Sequence, residues 1–274
     1  MGTFKITLAY DGSDFVGWQR QASGVSIQGL IEDALRELDG RDVPVIGAGR
    51  TDAGVHALGQ VASFSLERVI EAGVLQRAVN ARMPDSVRVT RVELAAPAFH
   101  ARFDAREKTY RYRIWNAAVI SPFERKYAWH IPERLDVDAM CAAAQLVEGR
   151  HDFAAFQAAG NATKTTERAV HSSVITSKSQ TTVSSLSGVE LRDLRGGVCG
   201  GALILYDITG DGFLRHMVRN IVGTLVEIGR GRRPPAWMRE VVESRDRAAA
   251  GPTAPAHGLF LVRVTYGQQL AAQR

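Results

Sequence analysis

The feature that most constrains the fold is a change of hydrophobic period within the first forty residues. "FKITLAY" (4 to 10) alternates apolar and polar residues and ends at the turn "DGSD", the two-residue period of a half-buried strand. "SIQGLIEDALREL" then places Ile27, Leu30, Ile31, Ala34, Leu35 and Leu38 on one helical face before Gly40, so strand, turn and amphipathic helix follow in order. A short apolar "VPVI" leads into the glycine-rich "GAGRTDAGVHALGQ" (47 to 60), and "QVASFSL" returns from it as a strand. A helix near 67 to 81, closed by "MPDS", and the strand "VRVTRVEL" complete a first unit of about 100 residues. The theme repeats with the strand "KTYRYRIW" (108 to 115), whose Tyr110, Tyr112 and Ile114 share one face, and with an Ala-rich helix from Asp138 to Glu148 stopped by Gly149. Later come the strand "GALILYDI", the helix "FLRHMVRNIVGTLVEIG", a short helix after Pro234 and Pro235, and the closing strand "GLFLVRVTY". Strands and helices mix without regular βαβ alternation. That predicts an α+β plan with antiparallel pairs, divided into domains at 1–105 and 106–274. The polar stretch from Thr176 through the 177–200 segment reads as a long surface loop.

Composition narrows the function. No apolar run approaches the roughly 18 residues of a membrane span, and "MGTFKITLAYDG" reads as a first strand rather than a signal peptide; a cytoplasmic protein is expected. Cys141 and Cys199 have no metal-ligand spacing, so neither a disulfide framework nor a zinc site is expected, and both thiols should be reduced. Net charge is +5, and 29 of the 34 basic residues are Arg. The planar guanidinium suits phosphates and stacks on bases, so the composition fits a nucleic-acid binder as well as it fits a plain bias toward Arg. Two clusters favour the binder: "RFDAREKTYRYR" (102 to 113) carries five cations against two acids, and "RHMVRNIVGTLVEIGRGRR" (215 to 233) carries five Arg against Glu227.

In the glycine loop, Gly47, Gly49, Gly54 and Gly59 surround Arg50 and Asp52. Glycine permits sharp turns and close backbone approach, so Asp52 is presented, although an isolated Asp there also suits an Asx turn. His56 has no partner in the motif and reads as a packing residue. Taken by spacing alone, Arg219 shares a helical face with Arg215 as a solvated charge, and Tyr110, Leu259 and Leu261 are strand core.

Several stretches together carry more. "YDGSDFVGWQRQ", "GAGRTDAGVHALGQVASF", "NARMP", "FHARFDAREKTYRYRI", "GFLRHMVRNIVG" and "GLFLV" occur in an order, nearly end to end, that closely resembles the bacterial tRNA pseudouridine synthase A family. The resemblance implies two α+β domains whose mainly antiparallel sheets join into one extended sheet flanked by helices, with the active site in the cleft between them. It implies a homodimer, no metal and no organic cofactor, and conversion of uridine to pseudouridine at positions 38, 39 and 40 of the tRNA anticodon stem-loop. Asp52 matches the family's catalytic aspartate, Arg219 its salt-bridge partner and Tyr110 its active-site tyrosine. The target base must be flipped out of the stem; Arg50 is placed to fill the vacated space or hold the phosphate, and Leu259 and Leu261 to wall the uracil. Three roles stay open to Asp52: nucleophile at C1′, nucleophile at uracil C6, or base at C2′. The 177–200 segment is longer than the family's connection there. A non-catalytic RNA-binding protein and a synthase acting on other RNA positions are the alternatives.

Overall fold

The computed structural model describes residues 2–158, 165–180 and 201–267. In chain order the strands and α-helices are β1 (Gly2–Tyr10), α1 (Ile27–Asp39), β2 (Ile46–Gly47), β3 (His56–Leu66), α2 (Ala72–Asn80), β4 (Val87–Leu94), β5 (Ala105–Asn116), β6 (Trp129–Ile131), α3 (Val137–Gln145), β7 (Gly149–Asp152), β8 (Glu167–Gln180), β9 (Gly201–Gly210), α4 (Met217–Gly229), α5 (Trp237–Ser244) and β10 (Leu259–Tyr266). The plan is α+β, and its strand pairs are mainly antiparallel. Two compact units emerge: the chain up to Tyr110 together with the closing strand from Phe260, and Arg111–Leu259.

In the first unit the strand order is β4-β1-β3-β10, with β2 on β3. β1 pairs antiparallel with β3 and β4, whereas β10 runs parallel to β3 through Phe260↔His56 and Leu261↔Ala57. Phe4, Ile6, Leu8 and Tyr10 alternate inward along β1, as the two-residue period demands. Helix α1 buries Ile27, Ile31, Ala34 and Leu35; Leu30 and Leu38 lie at the half-buried margin of that face. Ser26 caps it by accepting the Gly29 amide, and Gly40 ends it at φ 75°. Helix α2 is shorter than the periodicity predicts. Asp39 captures the amides of Glu67 and Arg68 (3.2 and 2.9 Å), and Glu71 caps the first turn through Gly73 and Val74, so residues 67–71 are spent before the helix starts.

In the second unit the order is β5-β9-β8-β7, with β6 parallel to β5. Arg111 on β5 grips Asp207 on β9 with two bonds (2.7 and 2.8 Å). Three differences from expectation stand out. β8 is a strand through Gln180, paired residue by residue with β9, so the predicted loop begins later than Thr176; positions 181–200, including Cys199, lie outside the described residues. Its distal residues Thr176, Ser177 and Lys178 are exposed, leaving no hydrophobic alternation to read, and only the pairing with β9 makes them a strand. Helix α3 stops at Gln145 because Leu146, Val147 and Glu148 turn to bonds three residues back. Helix α4 begins at Met217 instead of Phe213, because His216 sits in the left-handed region (φ 63°). Among the described residues no helix is long and apolar enough to cross a membrane.

Candidate active site

The glycine loop occupies the span between β2 and β3 and is held from three directions. Thr51 is buried; its hydroxyl meets the Tyr10 phenol (2.8 Å) and its carbonyl accepts the Trp18 amide (3.0 Å). The carbonyl of Gly49 accepts from Gln60 Nε2 (2.9 Å). The turn itself closes when the Val55 amide donates to the Asp52 carbonyl (3.1 Å), with Gly54 at φ 76°. Asp52 is thereby carried, half-buried, on a braced turn.

The segment after β1 forms the bed of this loop. A Cβ at Gly12 would fall 2.1 Å from the Val55 carbonyl oxygen, and one at Gly17 would fall 2.5 Å from that of Thr51. Two backbones therefore touch where any other residue would hold them apart. Two glycines of the loop serve packing as well: Gly47 lies against the Trp18 indole and Gly59 against the Val262 carbonyl. His56 is 1% exposed; its Nδ1 accepts the Gly12 amide (3.0 Å) and its ring stacks on Phe260 (4.6 Å between centroids). Asp11 Oδ1 lies 3.1 Å from the same nitrogen, so the imidazole is a hydrogen-bonding as well as a packing residue.

Tyr110 lies in the same unit, buried. Burial, then the neighbouring Tyr10 phenol and the Asp52 carboxylate, push its phenol well above the usual value. Tyr10 is pushed up to about 12 by burial, against the opposing pull of its bonds to Thr51 and Gln60. Both phenols are protonated at physiological pH, and that of Tyr10 is a hydrogen-bonding group. Lys108, two residues before Tyr110 on β5, lies across Gly49, whose Cβ would sit 3.6 Å from its Nζ. Arg50 is exposed, and its Nε donates to Gln19 Oε1 (3.1 Å).

Asp52, Arg50 and Tyr110 thus belong to the first unit, and Arg219 and Leu259 to the second. Arg219, on α4, donates from Nε to the Ala254 carbonyl (2.7 Å) while its own carbonyl accepts the Ala254 amide (3.1 Å). Leu259 opens β10 as a buried residue. Gln19, Thr51 and Tyr10 escape a motif reading of the site. Tyr10 looks like strand core, and the signal for Gln19 is only its place in "GWQRQ".

An α+β chain that displays one carboxylate and one guanidinium on a braced loop has the makings of an enzyme acting on a polyanion. A family model described as tRNA pseudouridine synthase matches residues 6–104 and 143–267. The chain belongs to that family. It is 43% identical over 266 residues to the tRNA pseudouridine synthase A of Pelobacter propionicus, covering 97% of this chain and 100% of that protein. It is 44% identical over 268 residues to the protein of that name from Moorella thermoacetica, again 97% and 100%. For the Myxococcus xanthus protein of the same name the identity is 42% over 266 residues, 97% of this chain and 92% of that one.

Proposed function

We propose that the chain isomerises uridine to pseudouridine at positions 38, 39 and 40 of the tRNA anticodon stem-loop, with Asp52 as its catalytic carboxylate. The observation that carries this reading is the braced turn bearing Asp52, in a chain that belongs to the synthase family over nearly its whole length. The reaction breaks the N1 to C1′ bond of uridine, turns the uracil, joins C5 to C1′ and releases the C5 proton. Nothing is oxidised or reduced; what the chemistry requires is a carboxylate beside the sugar. Flipping the target base costs a few kcal/mol, which Arg50 offsets by holding the nucleotide out. Tyr110 packs on the uracil with a neutral phenol, and Arg219 and Leu259 are the residues of the second unit that this reading assigns to substrate binding. The active enzyme is a homodimer of the cytoplasm.

Replacing Asp52 tests the core of this. Asp52→Asn keeps the shape of the side chain but cannot supply a carboxylate's nucleophilicity or basicity. Tritium release from tRNA carrying 5-tritiated uridine should fall by at least about 10³-fold, with tRNA binding and the circular dichroism spectrum unchanged. Activity within tenfold of wild type would falsify the assignment. A wild-type protein that binds tRNA without releasing tritium would instead be a binding module, and release from other positions would make it a synthase of different specificity.

A further inference from the structure

A chain of hydrogen bonds runs from helix α1 to Arg50, and its polarity is forced. The Val45 carbonyl and the Glu32 carboxylate can only accept, and both take a bond from Gln28 Nε2 (3.0 Å each). Glu32 is itself fixed by Arg20 Nε (2.8 Å). The amide oxygen of Gln28 must then face the other way, where it accepts the Arg20 backbone amide (3.0 Å) and Gln19 Nε2 (2.7 Å). Side-chain amides are assigned from their partners; for Gln28 the three partners of fixed polarity agree, the Val45 carbonyl, the Glu32 carboxylate and the Arg20 backbone amide. Gln19 has no choice left: its nitrogen points at Gln28, so its oxygen points at Arg50, whose Nε donates to it (3.1 Å).

We propose that Gln19, oriented by Gln28, is a positioning residue that presets the Arg50 guanidinium for the flipped nucleotide. The inference rests on Arg50 having the role given to it above. A guanidinium held at Nε still offers its Nη1–Nη2 edge, which matches a phosphate with two parallel bonds. Arg50 is exposed on its loop, and a long exposed side chain otherwise loses rotamer entropy on binding. The relay supplies that order in advance. It also gives "GWQRQ" a purpose: Trp18 anchors the catalytic loop by its backbone, and Gln19 aims the arginine on it.

The test is a double-mutant cycle read by single-turnover tritium release, with full-length protein in excess over 5-tritiated tRNA. Gln19→Met, near in size and unable to hydrogen-bond through an amide, should slow the step about tenfold, the size of one lost bond to a charged donor. Placed in an Arg50→Met protein, the same change should cost less than about twofold, because its effect passes through Arg50. A merely structural Gln19 gives losses that multiply, and that outcome overturns the relay while leaving Arg50 and Asp52 in place. Arg50→Met at the wild-type rate overturns the role of Arg50 and the relay together, and an inert wild-type protein sinks the synthase reading itself. Gln19→Ser replaces the methionine variant in the cycle if circular dichroism finds the latter unfolded.

Discussion

At the scale of single residues, Gly17 shows how far the site extends beyond the groups that meet substrate. It stands at φ 106°, and its Cα faces the backbone of Thr51, Asp52 and Ala53. Gly17→Ala therefore introduces strain twice, once in its own backbone and once against the Asp52 turn, for a cost of about 2–4 kcal/mol. Calorimetry should record a fall in the unfolding midpoint of about 5–15 °C, and tritium release should fall with it even where the protein is still folded. A variant with normal stability and normal rate would mean that the bed of the loop is soft. The motif "YDGSDFVGWQRQ" announces that this stretch matters, but not why. What makes glycine obligatory at position 17 is a backbone thirty-four residues on, and contacts of that separation leave no local period or turn signature.

At the scale of elements, α4 joins motif to architecture. Asn220 is fully buried; its Nδ2 donates to the Phe156 carbonyl (2.8 Å) and its Oδ1 accepts from Thr253 (2.6 Å) and Arg247 (3.2 Å). Thr224 accepts the Gly251 amide (2.9 Å), and a Cβ on Gly223 would fall 1.6 Å from the Pro252 carbonyl oxygen. "RNIVGT" is thus the socket for residues 251–254 and carries Arg219 on the same turn. Helix propensity alone predicts that Gly223→Ala stabilises by about 1 kcal/mol. The clash reverses the sign, and we expect a loss of about 3 kcal/mol or more in chemical denaturation; a midpoint at or above wild type would show that the 251–254 segment yields.

Most elements were legible because their periods are strong: the alternation of β1 and the stripe of α1 need no tertiary help. Where the sequence misled, the cause was a single competing group. His216 breaks the helical pattern from Phe213 by its backbone angle, Asp39 removes the amides of residues 67 and 68, and β8 persists past Thr176 on pairing alone. For the candidate site, the sequence marks the loop of Asp52 and Arg50 through the company of other motifs, and the structure shows how that loop is braced. Gln19 and Gln28 were not, because a polar relay has no spacing of its own.

At the scale of the whole molecule, five of the six tyrosines have phenols raised by burial: Tyr10, to about 12, and Tyr110, Tyr112, Tyr206 and Tyr266. Each is raised above its unfolded value of about 10. The native state therefore holds protons that the unfolded chain releases, and the stability gained is fully present below pH about 10 and lost as pH rises through the folded values. Within that window each such phenol removes up to about 1.4 kcal/mol per pH unit. The thermal midpoint should fall steeply from pH 10 to pH 12, and tyrosinate absorbance should rise together with unfolding. Phenols that ionise near pH 10 in a protein still folded would contradict their burial.

The parallel pairing of β10 with β3 has a meaning in time. A chain leaves the ribosome from its N-terminus, and early segments fold as they emerge. Here the strand that carries His56 waits for Phe260 to cover its imidazole and for Val262 to lie against Gly59. The same imidazole holds the Gly12 amide beneath the Asp52 turn. The unit begun by β1 is therefore closed only by β10, and a nascent chain that has not yet reached β10 lacks the final support of the loop that carries Asp52.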